Sequence, residues 1–464
     1  MNGDWLSGSE EIPVTDKYSG EQWATVSAAD AAAVAEAVRA AKWVADSGPL
    51  PPNRRAEILS RAAAILTRRR EEIGLAIARE VGKPYREACW EVDWSAGVFA
   101  ASAAECIRLC GAMVPIEGEY GCEERLAFTL RVPVGVVAAI TPFNFPLNQA
   151  AHKVGPALGA GNAVVLKPSE NTPVSCAMLA EVLAEAGLPA GWFNLLQGGA
   201  DVGRQLVENP DVNFISFTGS AAAGKQISRA AGLRRVSLEL GSNAATIVQA
   251  DADLGRAATL AAWGAFNNAG QVCISVQRVL VQESVYAEFC RLMAAEAASV
   301  VVGNPMDEAT AVGPMISEEA ARRAENWVQE AVAGGARLLA GGKREGALFW
   351  PTVVADVAPG MRVSCEEIFA PVVVLSPYKS LSDAIDQVND SVYGLQAGIF
   401  TTDIGAALTA AKRLKVGGVM INDTSYFRRD SMPYGGVKES GIGREGPAHA
   451  MAEMTDLRTI VVRA

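Results

Sequence analysis

The chain has 464 residues, half of them hydrophobic, and a formal net charge of −11. This length is ample for a large core and too long for one simple domain, so it predicts two or more lobes. The acidic balance argues against electrostatic binding to nucleic acid or to an anionic membrane surface.

The cysteine and histidine content argues against metal sites and disulfides. Eight cysteines show no paired metal-ligand spacing, and the only histidines are His152 and His449. The N-terminus lacks the basic start and apolar run of a signal peptide, and no apolar stretch approaches the ~20 residues that span a bilayer. We therefore predict no metal, no membrane association and a location in the reducing cytoplasm.

The first quarter of the chain has a helical pattern. Residues 28–45 are alanine-rich with apolar positions at helical spacing, and Asn53 is a candidate N-cap for a helix through Arg68. Residues 71–81 continue the pattern, which extends to about Leu109. Residues 124–132 then alternate like a strand with one polar face. They predict an exposed ribbon that pairs with another chain or with the late strand 457–462.

Three short apolar runs follow, at residues 134–140, 163–166 and 213–217, and each ends in polar residues. Each precedes a helical segment, at residues 147–158, 173–186 and 221–231. This alternation predicts a parallel sheet with helices on both faces. Ligands of such sheets bind at the C-terminal strand ends, where the polar tips lie.

Beyond Gly241 a second alternation begins, which predicts a second α/β lobe. Its strands are predicted at residues 244–248, 276–281, 372–375, 397–400 and 419–422. Its helices are predicted at residues 252–265, 284–298, 383–388 and 404–414.

Three side chains could carry chemistry, and each has a plainer alternative. Cys273 could be a nucleophile, or a buried small hydrophobe like the seven other cysteines. Glu239 ends an apolar strand, where burial would raise its pKa toward that of a general base, or it could be an exposed terminal glutamate. Asn144 could donate to an oxyanion, or it could simply form a turn.

The strand tips also offer candidate nucleotide contacts. Residues 217–224 close a strand and open a helix, and the glycine there would let backbone N–H groups approach a phosphate. The stretch lacks the G-x-G-x-x-G spacing of the ordinary dinucleotide fold. Lys167 and Glu170 could bind ribose hydroxyls, or they could be surface charges.

Several of these stretches, taken together, resemble the NAD(P)-dependent aldehyde dehydrogenase superfamily in its hydrolytic branch. They occur in the family order across nearly the whole chain, at residues 140–147, 167–170, 217–224, 238–241, 267–273, 366–371 and 433–446.

The resemblance implies a role for each candidate catalytic residue. Cys273 would attack an aldehyde to form a thiohemiacetal, while Asn144 and the Cys273 backbone N–H hold the oxyanion. After hydride transfer, Glu239 would activate the water that hydrolyses the thioester. Lys153 and Glu445 match positions that the family uses near its proton-release path.

The resemblance also assigns the cofactor contacts. Lys167 and Glu170 would hold the adenosine ribose, and Glu170 would repel a 2′-phosphate, which favours NAD over NADP while leaving NADP open. The remaining cofactor residues would be Thr141, Phe143, Ser169, Gly219, Ser220, Leu240, Glu367 and Phe369.

Three residues would line the substrate tunnel: Phe145, His152 and Arg428. His152 stands where many related enzymes carry tryptophan, and Arg428 aligns with a position that is often aromatic. An arginine there could bind a carboxylate, phosphonate or sulfonate, so we expect a small polar aldehyde that is anionic or hydroxylated. Alternatively, Arg428 is a solvated loop charge paired with Asp430.

The implied architecture is α/β, with a Rossmann-type cofactor domain (residues 1–117 and 133–241) and an α/β catalytic domain (242–440). A β-ribbon oligomerisation arm (118–132 and 450–464) would build a homodimer or homotetramer. Two alternatives stay open. One is an acylating dehydrogenase that passes its thioester to coenzyme A, for which Glu239 would be superfluous. The other is a non-catalytic binding protein on the same fold.

Overall fold

The computed structural model describes residues 2–8 and 10–463. Met1, Ser9 and Ala464 lie outside the described residues, and with them the first and last residues of the predicted domain ranges. The strands are β1 Glu10–Thr15, β2 Gln22–Ala28, β3 Met113–Val114, β4 Arg125–Pro133, β5 Val136–Ile140, β6 Ala163–Lys167, β7 Phe193–Leu195, β8 Phe214–Thr218, β9 Arg235–Glu239, β10 Ala245–Val248, β11 Arg278–Gln282, β12 Arg337–Ala340, β13 Arg344–Glu345, β14 Leu348–Phe349, β15 Thr352–Ala355, β16 Val372–Tyr378, β17 Gln396–Phe400, β18 Gly418–Ile421, β19 Gly441–Ile442 and β20 Thr455–Arg463.

The helices are α1 Ala31–Asp46, α2 Pro52–Arg68, α3 Arg70–Val81, α4 Tyr85–Cys106, α5 Pro146–Ala160, α6 Val174–Glu185, α7 Ala200–Glu208, α8 Ala221–Ala231, α9 Leu254–Phe266, α10 Tyr286–Ser299, α11 Glu318–Ala333, α12 Arg362–Cys365, α13 Leu381–Asn389, α14 Ile404–Arg413 and α15 Pro447–Glu453. Short 3₁₀ turns occupy Ile116–Gly118, Asn267–Gly270, Glu283–Val285 and Lys438–Ser440.

The first sheet has six strands in the order β19-β9-β8-β5-β6-β7. All neighbours are parallel except β19, which runs antiparallel to β9. Every residue of β5, β6 and β8 is buried, as expected for central strands covered by helices on both faces. The tips of β5, β6 and β8 therefore share one edge, as the sequence predicted.

The second sheet has seven strands in the order β12-β15-β16-β11-β10-β17-β18, with β12 antiparallel and the rest parallel. It includes every strand predicted beyond Gly241. The edge strand β12, its neighbour β15 and helix α11 were missed. Buried positions of α11 do repeat at helical spacing, from Ala321 and Ala324 to Trp327, Val328 and Ala331, so its periodic signal was present in the sequence.

The ribbon strand β4 pairs antiparallel with β20, with Arg131 opposite Leu457, and with the short β3. Of the two partners predicted for this ribbon, the late strand of the same chain is the one found. The division of the chain into domains at the predicted boundaries stays a prediction.

Three details of the sequence reading need correction. Helix α2 begins at Pro52 and its N-cap is Pro51, so Asn53 lies inside the first turn. Proline suits the first helical position, occupied by Pro52, because its fixed φ matches that of the helix. The hairpin of β1 and β2 was missed. Cys110 and Cys365 are exposed, so the cysteines other than Cys273 are not uniformly buried.

Within the part of the chain that the structure describes, no helix is long and apolar enough to cross a membrane.

Candidate active site

Cys273 follows a tight turn between α9 and β11. Asn268, Ala269 and Gly270 all have left-handed backbone, with φ of 50°, 54° and 67°. A Cβ on Gly270 would lie 2.0 Å from the carbonyl oxygen of Ala370, so only glycine fits there. This turn leaves Cys273 half-buried, and its backbone N–H donates no hydrogen bond within residues 2–8 and 10–463.

Asn144 lies beside this turn. Its Nδ2 donates to the carbonyl oxygen of Gln271 at 2.8 Å. Its Oδ1 is buried and has no hydrogen-bond partner among the described residues. The carbonyl oxygen of Asn144 accepts from Lys83 Nζ at 2.7 Å and from Asn268 Nδ2 at 3.0 Å. The side-chain amide of Asn144 is therefore fixed to Gln271, two residues before Cys273, which would not hold for a residue that only forms a turn.

Glu239 ends β9 and is only 3% exposed. Neither of its carboxylate oxygens has a hydrogen-bond partner in the described parts of the chain. A Cβ on Gly435 would lie 2.8 Å from Oε1, so the carboxylate packs against that backbone. Burial, followed by the nearby charge of Glu445, raises the pKa of Glu239 well above its usual range. The alternative of an exposed terminal glutamate is wrong.

Glu445 is the more acidic member of this carboxylate pair. Its Oε1 accepts from Lys153 Nζ at 2.7 Å, and its Oε2 accepts from Arg428 Nη2 at 3.0 Å. Lys153 also donates to Thr218 Oγ1 at 2.7 Å, at the tip of β8. Burial alone would raise the pKa of Glu445, but Lys153 and Arg428 lower it to about 2. Two neighbouring carboxyl groups with pKa values pushed apart are typical of acid–base sites.

Arg428 is not a solvated loop charge. Its side chain is 15% exposed, it is paired with Glu445, and its guanidinium carbon lies 3.8 Å from the ring centre of Tyr434. Asp430 instead approaches His152, with 3.3 Å between Oδ1 and Nε2. Burial, followed by the charge of Arg428, lowers the pKa of His152. His152 is therefore neutral at pH 7, and Arg428 is a cation inside the site.

Phe145 directly follows Asn144 in the chain. It precedes α5, and Lys83 Nζ lies 3.8 Å from the centre of its ring. Trp94 packs against it with ring centres 6.4 Å apart.

The strand tips of the first sheet carry the residues predicted to bind a cofactor. Thr141 is buried, and its Oγ1 has no partner among the residues that the structure describes. Lys167 is buried at the end of β6, where burial lowers its pKa against the opposing charge of Glu170. Ser169 is half-buried, while Glu170 is exposed and its Oε2 lies against Gly199. Lys167 and Glu170 form no ion pair in the described chain.

The turn after β8 opens helix α8. Gly219 donates its backbone N–H to the carbonyl oxygen of Glu239 at 3.0 Å, and Ser220 Oγ caps the helix by accepting from the N–H of Ala223 at 3.2 Å. Leu240 packs on Gly224, where a Cβ would come within 2.5 Å of Leu240 Cδ2.

Glu367 and Phe369 extend the same edge toward Cys273. Glu367 Oε1 accepts from the N–H of Ser242 at 2.9 Å, and burial raises the pKa of Glu367 to about 7. Phe369 has φ of 51°, and its ring meets that of Phe143 edge-on at 5.9 Å. The buried Thr141 hydroxyl without a partner, the Lys167 ammonium and the glycine turn fit a phosphate-linked nucleotide at this edge.

Two side chains at this site were missed by the sequence reading. Tyr434 Oη lies 2.9 Å from Cys273 Sγ, and Lys83 forms a wholly buried pair with Glu91 at 2.6 Å. Tyr434 lies within a stretch already matched to the family, so that match was its only signal. No group of three or more metal-ligating side chains in the described residues is arranged to hold a metal ion.

Comparison with known proteins extends these observations to the whole chain. The model for the aldehyde dehydrogenase family matches residues 5–460. A 3-sulfolactaldehyde dehydrogenase from Priestia aryabhattai is 50% identical over 463 residues, which cover 100% of this chain and 97% of that protein.

Two solved structures are also similar. Glyceraldehyde-3-phosphate dehydrogenase from Methanocaldococcus jannaschii, complexed with NADP, has a TM-score of 0.95 at 41% identity and covers 98% of this chain and 100% of its own. An NAD-dependent aldehyde dehydrogenase from Sinorhizobium meliloti has a TM-score of 0.96 at 36% identity, with 100% and 94% covered. Both nicotinamide cofactors are thus represented among similar chains.

Proposed function

Because the chain belongs to the aldehyde dehydrogenase family, we propose that it oxidises a small polar aldehyde to its acid through a thioester on Cys273. The observation that carries this proposal is the convergence of three groups from distant segments. Asn144 Nδ2 donates a hydrogen bond to the turn that presents Cys273, and the buried carboxyl of Glu239, which has no hydrogen-bond partner in the described part of the chain, lies nearby. Nucleophile, oxyanion donor and base are the parts that acyl chemistry on sulfur requires.

In the first step the Cys273 thiolate attacks the aldehyde carbon. A C–S bond forms, the C=O π bond breaks, and the charge moves to the carbonyl oxygen. This oxyanion accepts from the second N–H of Asn144 Nδ2 and from the backbone N–H of Cys273, which has no acceptor among the described residues. Burial raises the pKa of the Cys273 thiol to about 11, while Tyr434 and Arg428 oppose that rise. The resting thiol therefore needs stabilisation of its charge before it can attack.

NAD is the expected cofactor, with NADP as the alternative that a similar structure contains. When bound, it supplies the hydride acceptor for oxidation of the thiohemiacetal to the thioester. Glu367 and Phe369 would hold its nicotinamide end, and Lys167 and Glu170 its adenosine ribose. The path between these two ends would be lined by Thr141, Phe143, Ser169, Gly219, Ser220 and Leu240.

Glu239 then acts on the thioester. Its carboxylate takes a proton from water, the resulting hydroxide adds to the thioester carbon, and the C–S bond breaks to release the acid and the thiolate. Its raised pKa suits a base that works near neutral pH. Lys153 and the ionised Glu445 are near Glu239 and bonded to each other, and they offer a route for the released proton.

Arg428 supports an anionic group on the aldehyde. It brings a buried cation beside Tyr434 and Cys273, and its Nε is buried without a partner among the described residues. The similar proteins include one named for a sulfonated and one for a phosphorylated aldehyde. The pairing of Arg428 with Glu445 neutralises part of the charge of Arg428. His152 and Phe145, which carry no charge, would complete the tunnel chiefly by shape.

The ribbon supports a homodimer or homotetramer. Leu126, Leu130, Leu457, Val461 and Val462 expose apolar side chains on β4 and β20. Covering such a surface with a second copy would remove it from water. We place the enzyme in the cytoplasm because of its free cysteines.

The test is a screen of NADH formation over three-carbon aldehydes that are neutral, hydroxylated, carboxylated, phosphonated or sulfonated, with NAD and NADP in parallel. We expect turnover to the free acid, with the highest kcat/KM for an anionic aldehyde. Arg428→Met should raise KM more for that aldehyde than for propanal, whereas Arg429→Met, at the exposed neighbouring residue, should not. Thioester transfer to added coenzyme A would support the acylating alternative instead, and no NADH with any aldehyde would refute the proposal.

A further inference from the structure

Tyr434 lies between the nucleophile and the charged cluster. Its side chain is buried, and its Oη is 2.9 Å from Cys273 Sγ. Its backbone forms an antiparallel bridge with Glu445, with N···O distances of 3.1 and 2.7 Å. The guanidinium of Arg428, itself bonded to Glu445, stacks on the ring. Both ends of the tyrosine are therefore fixed, and the hydroxyl is held at the sulfur.

Geometry alone leaves either atom as the donor, but acidity decides between them. A thiol is ordinarily more acidic than a phenol, so the first proton to leave this pair comes from sulfur. The tyrosine O–H then donates to the thiolate. The cation stacked on the ring draws electron density from it, which makes the O–H a better donor.

We propose that Tyr434 is a further catalytic residue, whose hydroxyl donates a hydrogen bond to the Cys273 thiolate and increases the fraction of enzyme that can attack. This inference rests on the proposed role of Cys273 as the nucleophile. The tyrosine keeps its proton throughout. When the C–S bond forms, the charge leaves sulfur for the carbonyl oxygen, where Asn144 receives it.

The expected effect follows from two opposing changes. A hydrogen bond to a charged acceptor is worth enough to change the acidity of the thiol by about tenfold or more. A less basic thiolate is also a weaker nucleophile, with a sensitivity of about one half. Below the thiol pKa, losing the hydroxyl should therefore slow attack by a net ~3- to 10-fold. Other titratable groups near Cys273, among them Arg428, Glu367, Glu239 and Tyr426, all remain in the variant.

The experiment measures alkylation of Cys273 by iodoacetamide in the full-length enzyme between pH 6 and 9, counted by mass spectrometry of its peptide. Tyr434→Phe keeps the ring on which Arg428 stacks and removes only the hydroxyl. 3-Fluorotyrosine at position 434 keeps nearly the same shape with a more acidic phenol. The control is Tyr378→Phe, which removes a buried hydroxyl that donates to the carbonyl oxygen of Val248 at 3.1 Å on the second sheet.

We expect the phenylalanine variant to alkylate ~3- to 10-fold more slowly, the fluorotyrosine enzyme to alkylate faster than wild type, and the control to match wild type. A slower alkylation rate in the phenylalanine variant with an unchanged rate in the fluorotyrosine enzyme would mean that the tyrosine only packs. Unchanged alkylation rates in both would also overturn the inference. The assay contains no aldehyde. An enzyme that oxidises no aldehyde yet shows these alkylation rates would therefore refute the proposed function and leave the contact intact.

Discussion

The buried pair of Lys83 and Glu91 is expected to position the oxyanion donor, and Lys83→Met tests this. Lys83 Nζ lies 2.6 Å from Glu91 Oε2 and 2.7 Å from the carbonyl oxygen of Asn144. Glu91 Oε1 accepts from the N–H groups of Leu147 and Asn148 at 2.9 and 3.1 Å. The pair thus ties α4 to the segment that carries Asn144 and to the first turn of α5.

The magnitude follows from the burial of both partners, whose side chains are 0% exposed. Removing one partner of such a pair leaves an uncompensated charge and costs about 3–5 kcal/mol of stability. Among the described residues, the carbonyl oxygen of Asn144 would keep Asn268 as its only donor, so the side-chain amide of Asn144 should lose its fixed position. We expect kcat/KM to fall about 10-fold or more, because oxyanion donors act only at a defined distance.

The assay is urea unfolding followed by tryptophan fluorescence, together with steady-state kinetics. With a denaturant slope of ~3 kcal/mol per molar, Lys83→Met should lower the midpoint by about 1–2 M. Adding Glu91→Gln removes the stranded charge while keeping an oxygen for Leu147 and Asn148. The double variant should therefore recover part of the lost stability without recovering kcat/KM.

Two results would refute this reasoning. An unchanged midpoint for Lys83→Met would mean that the pair is not buried and charged in the folded enzyme. Equal recovery of stability and kcat/KM in the double variant would mean that Lys83 supports folding in general, and does not position Asn144.

Three further predictions concern single positions. Glu239→Gln should leave a stoichiometric burst of NADH and lower the steady-state rate about 10²- to 10⁴-fold. In the wild-type enzyme, kcat should fall as the pH drops through the raised pKa of Glu239, because the base must be ionised. No burst would place Glu239 before thioester formation. Gly270→Ala should abolish turnover, whereas Gly346→Ala should not, because Gly346 also has a positive φ (57°) but no atom of the described residues lies within 4 Å of a new Cβ there. Equal losses of turnover in the two variants would exclude the clash with Ala370 as the cause. Glu170→Gln should raise the ratio of kcat/KM for NADP to kcat/KM for NAD, because it removes a charge that repels the 2′-phosphate. The increase should be roughly 10-fold or less, because this exposed charge is partly screened. An unchanged ratio would mean that Glu170 does not determine the choice of cofactor.

The sequence was sufficient for the strands β5, β6 and β8, for the helices that follow them and for the edge at which the site forms. Apolar runs such as those of β5, β6 and β8 must be buried on both faces, and the alternation with helices makes them parallel, so their polar tips meet. These are local properties of the chain, and they hold whatever the distant segments do. The predicted bounds of these strands and of α5, α6 and α8 agree with the structure to within about two residues.

Only the tertiary structure decided the state of each charged group. The burial of Glu239 follows from the position of β9 inside a sheet. The ion pair of Arg428 depends on Glu445, which the fold also brings next to Lys153 although 292 residues separate Lys153 from Glu445. The 2.9 Å contact of Cys273 joins it to a tyrosine 161 residues further along the chain. Burial and ionic partners set pKa values and nucleophilicity, and both depend on distances that residue order does not contain.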